Sequence, residues 1–197
     1  MKKIVLASKN SDKVKEMRLV LGCLPFEILS LADFDDLPDA VEDGLTFEEN
    51  ALIKAKFFRK CTGLACLADD SGLEVDALGG LPGVHSARFA GYHADDLTNN
   101  QKLLDELKKI EVEESAAAYR CALAFVDTDD TELLTAGKIS GKIKTVARGN
   151  GGFGYDPYFY IDDERTMAQL SVDEKNKISH RGAALREMVL KLKERFS

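Results

Sequence analysis

The chain predicts an α/β fold, a mixed β-sheet with helices on its faces. Two features of the order carry that prediction. Short apolar runs alternate with amphipathic stretches as β-α-β-α-β through the first third. A hairpin-like pair of strands and further helices then follow, so the sheet is not wholly parallel. The bulk composition agrees. Of 197 residues, 45% are hydrophobic and 31% charged, the profile of a globular chain. A chain of this length buries roughly 70% of its unfolded surface and needs no covalent staples. No repeat or linker divides it, so residues 1–197 read as a single domain.

Taken in order, Lys3-Ile4-Val5-Leu6-Ala7-Ser8 is a buried strand, closed by the polar turn Lys9-Asn10-Ser11-Asp12. Val14, Met17 and Leu21 recur at helical spacing, and Gly22 supplies a stop. A strand over 26–31 and an acidic loop over 33–44 follow. Thr46 and Glu49 form a capping box, opening a helix that buries Phe47, Ala51, Ala55 and Phe58. Residues 64–68 form an apolar strand that ends at Asp69-Asp70-Ser71-Gly72, and residues 79–91 read as irregular. Thr98, with Gln101 as box partner, caps a helix to Ile110. Residues 119–126 and 133–143 are antiparallel strands around the turn 127–130. A glycine loop ending at Gly154 leads to a strand over 158–161. Ser171 and Glu174 cap a short helical turn, and the last helix turns Leu185, Met188, Val189 and Leu192 inward.

Charge and hydropathy exclude several classes. Net charge is -7 with a pI of about 5.1, which argues against a broad nucleic-acid-binding face. Local lysines, or a divalent cation, can still hold a small anion. Mean hydropathy is -0.20, and no apolar run reaches the roughly 18 residues of a membrane span. Met1-Lys2-Lys3 leads into only Ile4–Ala7, too short for a signal peptide core. Cys23, Cys61, Cys66 and Cys121 form no CxxC pair and read as reduced thiols. A cytoplasmic location is the expectation.

Five constellations could carry chemistry. Ser8-Lys9-Asn10-Ser11-Asp12-Lys13 joins a strand to a helix, whose first N–H groups and Lys13 suit a phosphate; the same residues also make a plain capping loop. Asp69 and Asp70 stand where α/β sheets border ligand crevices, yet Asp-Ser-Gly is also ordinary turn chemistry. Neighbouring strand residues point to opposite faces, so one carboxylate can bind metal while the other anchors the loop. Glu42 precedes the helix on which Asn50 and Lys54 share a face; by themselves they read as a solvated loop and lysine. Gly151-Gly152-Phe153-Gly154-Tyr155-Asp156-Pro157 offers close backbone approach and an aromatic for stacking, or a turn with core-filling aromatics. Lys175 and Ser179-His180-Arg181 gather donors near a helix start, or simply cap it.

Together, these motifs resemble the inosine/xanthosine triphosphate pyrophosphatase family. The matching segments are Ser8-x-Asn10-x-x-Lys13-x-x-Glu16, Gly44 to Ala51, Ala68 to Leu73, Pro82 to Arg88, Gly151 to Pro157 and Glu174 to Gly182. The resemblance implies a long mixed sheet with two lobes around a central cleft, and a homodimer. It implies Mg²⁺-dependent hydrolysis of a purine nucleoside triphosphate (ITP, dITP or XTP) to the monophosphate and pyrophosphate. By position, Ser8, Lys9, Asn10, Ser11, Asp12 and Lys13 would bind the triphosphate, and Lys54 would join Lys13 in offsetting its charge. Glu42 and Asp70 would hold Mg²⁺, with Asp70 also acting on the water. Ser71 would touch substrate. Phe153, Gly154, Tyr155, Asp156, Lys175, His180 and Arg181 would form the base pocket, His180 and Arg181 donating to a 6-oxo group. Asp12 stands where many relatives have glycine, and Lys9 where they have a small residue. Asp12 would repel a triphosphate unless its side chain points to solvent. The rival readings are a nucleotide sensor without hydrolysis, a pyrophosphatase for pyrimidine or modified nucleotides, and a structural protein.

Overall fold

The computed structural model describes residues 2–197; Met1, which with Lys2 and Lys3 precedes the short apolar segment weighed above, lies outside the described residues. Six strands form one mixed sheet in the order β2-β1-β3-β4-β5-β6. These are β1 (Lys2–Leu6), β2 (Phe26–Ser30), β3 (Ala65–Val75), β4 (Glu114–Val126), β5 (Glu132–Lys144) and β6 (Phe159–Tyr160). β1 pairs in parallel with β2 and β3, and β5 pairs antiparallel with β6. The helices are α1 (Ser11–Leu21), α2 (Phe47–Thr62), α3 (Asp96–Lys109), α4 (Val172–Ile178) and α5 (His180–Phe196).

The chain divides into two compact units. The first holds residues up to Asp70, Cys121–Gly137 and His180–Ser197; the second holds Ser71–Arg120 and Lys138–Ser179. Each has its own apolar core. In the first, Ile4, Leu6, Met17, Leu67, Phe125, Leu185 and Met188 are buried together. There α1 and α5 pack on each other, and Gly137 on β5 lies so close to the His180 carbonyl that no side chain fits between them. In the second, Leu73, Leu103, Leu107, Tyr119, Ile143 and Phe159 form the core. Burial of such side chains supplies about 1.5–3 kcal/mol each.

Several boundaries differ from the sequence reading. β3 does not stop at Ala68; it runs seven residues further, through Asp69-Asp70-Ser71-Gly72 to Val75. The cause is long-range: the buried Asp69 carboxylate meets cations from α1 and α5, while Leu73 and Val75 fill the second core. α3 is capped by Asp95, with Thr98 as its box partner rather than as the cap. Asp95 accepts from the Thr98 N–H, and the Thr98 hydroxyl accepts from the Asp95 N–H. Gly83–Arg88 forms a 3₁₀ segment within the stretch expected to be irregular. The boxes at Thr46–Glu49 and Ser171–Glu174 form as expected.

Candidate active site

In the first unit, the strand-to-helix turn after β1 is built by Asn10. Its side chain accepts from the Asp12 and Lys13 N–H groups and so caps α1. The Ser8 hydroxyl accepts from the Asn10 N–H at 3.2 Å. Ser11 opens the helix itself. Lys9 pairs with Asp39 and Asp12 with Lys15, both on exposed side chains. Asp12 is thus turned to solvent, the orientation in which it does not oppose a phosphate at the helix start. Lys13 reaches in the other direction, its Nζ 3.0 Å from Asp69 Oδ2.

Asp69 is the anchor of a buried charge network. Arg181 donates to Asp69 Oδ2 from Nη2 at 3.1 Å and from Nε at 3.3 Å, and from Nη1 to Glu16 Oε2 at 2.6 Å. Arg181 and Asp69 are each 1% exposed and Glu16 is 3% exposed. The buried Arg181 and the partly exposed Lys13 therefore balance two buried carboxylates, the condition under which buried charge is tolerated. Burial raises the Asp69 pKa, but Lys13, Arg181 and Lys54 outweigh it and hold the carboxyl well below the usual range. Burial lowers the Arg181 pKa, and Asp69 leads the groups that drive it above the ordinary value.

Asp70 sits in the opposite electrostatic situation. Burial raises its pKa; Lys54 and Lys13 pull it down, Glu42 and Asp69 push it up, and the net direction is upward. Lys54 lies 2.7 Å from Glu42 Oε2 and donates to the Asp69 carbonyl at 3.0 Å. Its pKa is lowered by burial but raised on balance by Glu42, Asp69 and Asp70. Asn50, one turn before Lys54, accepts from the Gly44 N–H at 2.8 Å and so fixes the end of the loop bearing Glu42. The two adjacent aspartates thus have different work: Asp69 is consumed by Lys13 and Arg181, while Asp70 stands with Glu42 and Lys54.

In the second unit, the loop from Gly152 to Asp156 wraps on itself. Gly152 adopts φ +72° where a side chain would strike the Asp156 carboxylate. Asp156 Oδ2 accepts from the Phe153 N–H at 3.0 Å and from Lys175 Nζ at 2.6 Å; Oδ1 accepts from the Tyr119 hydroxyl at 3.2 Å. Lys175 Nζ lies 4.3 Å from the Phe153 ring centroid, fixing that ring's position by cation–π attraction. Tyr155 is buried and donates from its hydroxyl to the Ser86 carbonyl. Ser71 follows Asp70 on β3 and is half-buried.

Of the expected residues, Lys13, Glu42, Lys54 and Asp70 fall in the first unit and share one electrostatic cluster with Asp69. Phe153, Gly154, Tyr155, Asp156 and Lys175 fall in the second. His180 and Arg181 open α5 in the first unit, both buried. The expectation of an Arg181 fork on a base oxygen meets a guanidinium already committed to Asp69 and Glu16, because two buried carboxylates require its charge. Glu16 and Tyr119 were not singled out for a role. Glu16 carries a signal, lying one turn after Lys13; Tyr119 carries none, as its alternation reads as core.

An O-only donor set of two carboxylates suits a hard cation such as Mg²⁺, which keeps phosphate and water ligands and takes few from protein. Among the described residues, no group of three or more His, Cys, Asp or Glu side chains is arranged to hold an ion by itself. Burial of Asp70 beside Glu42 and Asp69, with a pKa pushed up, is the setting a bound cation would relieve.

The chain belongs to the Ham1 family, whose family model matches residues 4–191. A Geobacter sulfurreducens protein named dITP/XTP pyrophosphatase is 50% identical over 94% of both chains. One of the same name from Bacillus subtilis is 46% identical, covering 95% of this chain and 96% of the other. Among solved structures, a HAM1 protein from Coxiella burnetii superposes with a TM-score of 0.88 at 44% identity, over 98% of this chain and all of that one. The Staphylococcus aureus Ham1 protein superposes with a TM-score of 0.84 at 36% identity, with the same coverage.

Proposed function

We propose that this protein hydrolyses the purine nucleoside triphosphates ITP, dITP and XTP to the monophosphate and pyrophosphate, removing non-standard purines from the nucleotide pool. The names of the relatives support this activity, and one observation carries the chemistry. Asp70 is a buried carboxylate set among Lys13, Lys54, Glu42 and Asp69. A carboxylate held in that setting can take the proton of a water beside it. A binding module needs no such group beside two ammonium side chains.

Glu42 and Asp70 are the residues to hold Mg²⁺, which when bound would neutralise phosphate charge and orient the oxygens. Asp70 accepts the proton of a water attacking phosphorus in line with the pyrophosphate leaving group. Lys13 and Lys54 stabilise charge that grows on phosphate oxygens in the transition state. The strand-to-helix turn over residues 8–13 receives the phosphate oxygens through the Ser8 and Ser11 hydroxyls and the Lys13 ammonium, the Asp12 and Lys13 N–H groups being already taken by Asn10. Ser71, which follows Asp70 on β3, contacts the substrate.

On the base side, Phe153 is the stacking surface, and Gly154, Tyr155, Asp156 and Lys175 shape the loop around it. His180 donates to the 6-oxo group. An adenine 6-amino group would leave that donor unpaired, at about 1–3 kcal/mol. Arg181 holds Asp69, and through it Lys13. No covalent intermediate is required. A cytoplasmic homodimer is part of the proposal and rests on the family resemblance.

The experiment is a panel of ITP, dITP, XTP, ATP, GTP and dTTP with pyrophosphate detection, with Mg²⁺ and with chelator. Release from the first three with Mg²⁺, and loss with chelator, is the expected result. Equal kcat/KM for ITP and ATP would refute the base recognition, and no release from any would refute hydrolysis.

A further inference from the structure

Helix α3 supplies no residue to the site proposed above, yet it grips the loop that carries Phe153. Gly154 is held at both ends of its own residue. Its N–H donates to Asp96 Oδ2 at 2.6 Å, and its carbonyl accepts from Asn100 Nδ2 at 2.9 Å. Asp96 and Asn100 are four apart on α3 and so share one face of the helix. Gly154 has φ +62°, a left-handed backbone, with nothing within 4 Å of where a side chain would stand. No packing therefore fixes this residue on its side-chain face; the two hydrogen bonds do.

Asn100 is 8% exposed, and its Oδ1 is buried with no hydrogen-bond partner among the described residues. A half-satisfied buried amide costs stability, and an apolar residue there would avoid that cost. What the amide supplies is the donor to Gly154. Its neighbour Asn99 does comparable work on another segment, accepting from the Ala90 N–H at 2.8 Å and donating to the Ala87 carbonyl at 3.2 Å.

The geometry points to Asp96 and Asn100 as positioning residues for base binding: by clamping both sides of Gly154 they set the plane of the adjacent Phe153 ring. This rests on the proposed purine nucleotide site. Phe153 is tied from its other side by Asp156, through its N–H, and lies against Lys175. Releasing Gly154 frees the ring to tilt while leaving the Asp70 cluster in the first unit untouched. The loss falls on nucleotide affinity and spares the chemical step.

The test uses Asp96→Ala, Asn100→Ala, their double variant and the conservative Asp96→Asn, whose side-chain oxygen can still accept from Gly154. The KM for ITP should rise about threefold to tenfold in each alanine variant, as one hydrogen bond is lost, and further in the double. Turnover at saturation should stay within about twofold, and inhibition by inorganic pyrophosphate, which needs no base contact, should not change. Asp96→Asn should restore the KM. Amide hydrogen exchange at Gly154 should quicken in the alanine variants, a readout independent of turnover. Folded variants with an unchanged KM, equal losses in KM and kcat, or weakened pyrophosphate inhibition would overturn the clamp. Unchanged exchange at Gly154 would overturn it even if the wild-type protein released no pyrophosphate, a result that would itself sink only the proposed activity.

Discussion

Arg181→Met is the perturbation that most sharply tests the buried charge network. The guanidinium is 1% exposed and makes three hydrogen bonds to two carboxylates, at 2.6, 3.1 and 3.3 Å. Methionine fills much of the volume but takes that cation from Glu16 and from Asp69, which keeps its ion pair with Lys13. Stranding buried charge in this way costs about 3–5 kcal/mol. At about 2–4 °C per kcal/mol for a chain of this size, the melting temperature should fall by about 6–20 °C. Adding Glu16→Gln to Arg181→Met removes one stranded carboxylate and should recover part of the loss, with a coupling of about 1–3 kcal/mol. Thermal and urea unfolding of the four proteins close the cycle. A single Arg181→Met variant within 1 kcal/mol of wild type, or additive effects in the double variant, would refute the claim that these charges are mutually dependent.

Other consequences follow from the same geometry. Cys66 and Cys121 are buried, and burial pushes each thiol up to about 12, whereas Cys23 and Cys61 are exposed. A chromogenic disulfide reagent should therefore label two thiols quickly in the native protein and all four after denaturation. Asp127 is buried where Lys2, the Thr128 N–H and Arg195 overcome the effect of burial and lower its pKa. Its contribution to stability is present above the unfolded carboxyl value near 3.9 and fades as pH falls through the lower folded value. Asp127→Asn should be less stable than wild type at pH 6, and the gap should shrink as the pH is lowered below the unfolded carboxyl value. Unfolding midpoints across that range measure it.

Much of the fold was legible because it depends on local pattern. The apolar run of β1, the capping boxes at Thr46 and Ser171, and the inward stripe of α5 are each written within a few residues. The errors share one cause. Asp69-Asp70-Ser71-Gly72 has turn chemistry, and only distant partners make a buried strand of it: Lys13 and Arg181 on Asp69, and the second core around Leu73 and Val75. β4 begins at Glu114, five residues before the expected start, because its Ser-Ala-Ala-Ala stretch has weak strand preference that tertiary packing overrides. At the site, residue types and order were readable but assignments were not. Which aspartate is tied down depends on where Lys13 and Arg181 reach. The grip of Asp96 and Asn100 on Gly154 joins residues more than fifty positions apart with no motif between them.

The most direct measurement is turnover of ITP by Asp70→Asn at saturating Mg²⁺ and substrate. With Asp70 as proton acceptor, kcat should fall by about 10²–10⁴-fold in a protein that stays folded. Turnover within a few-fold of wild type would remove Asp70 from the chemistry and leave the cluster of Glu42, Lys54 and Lys13 without its proposed purpose.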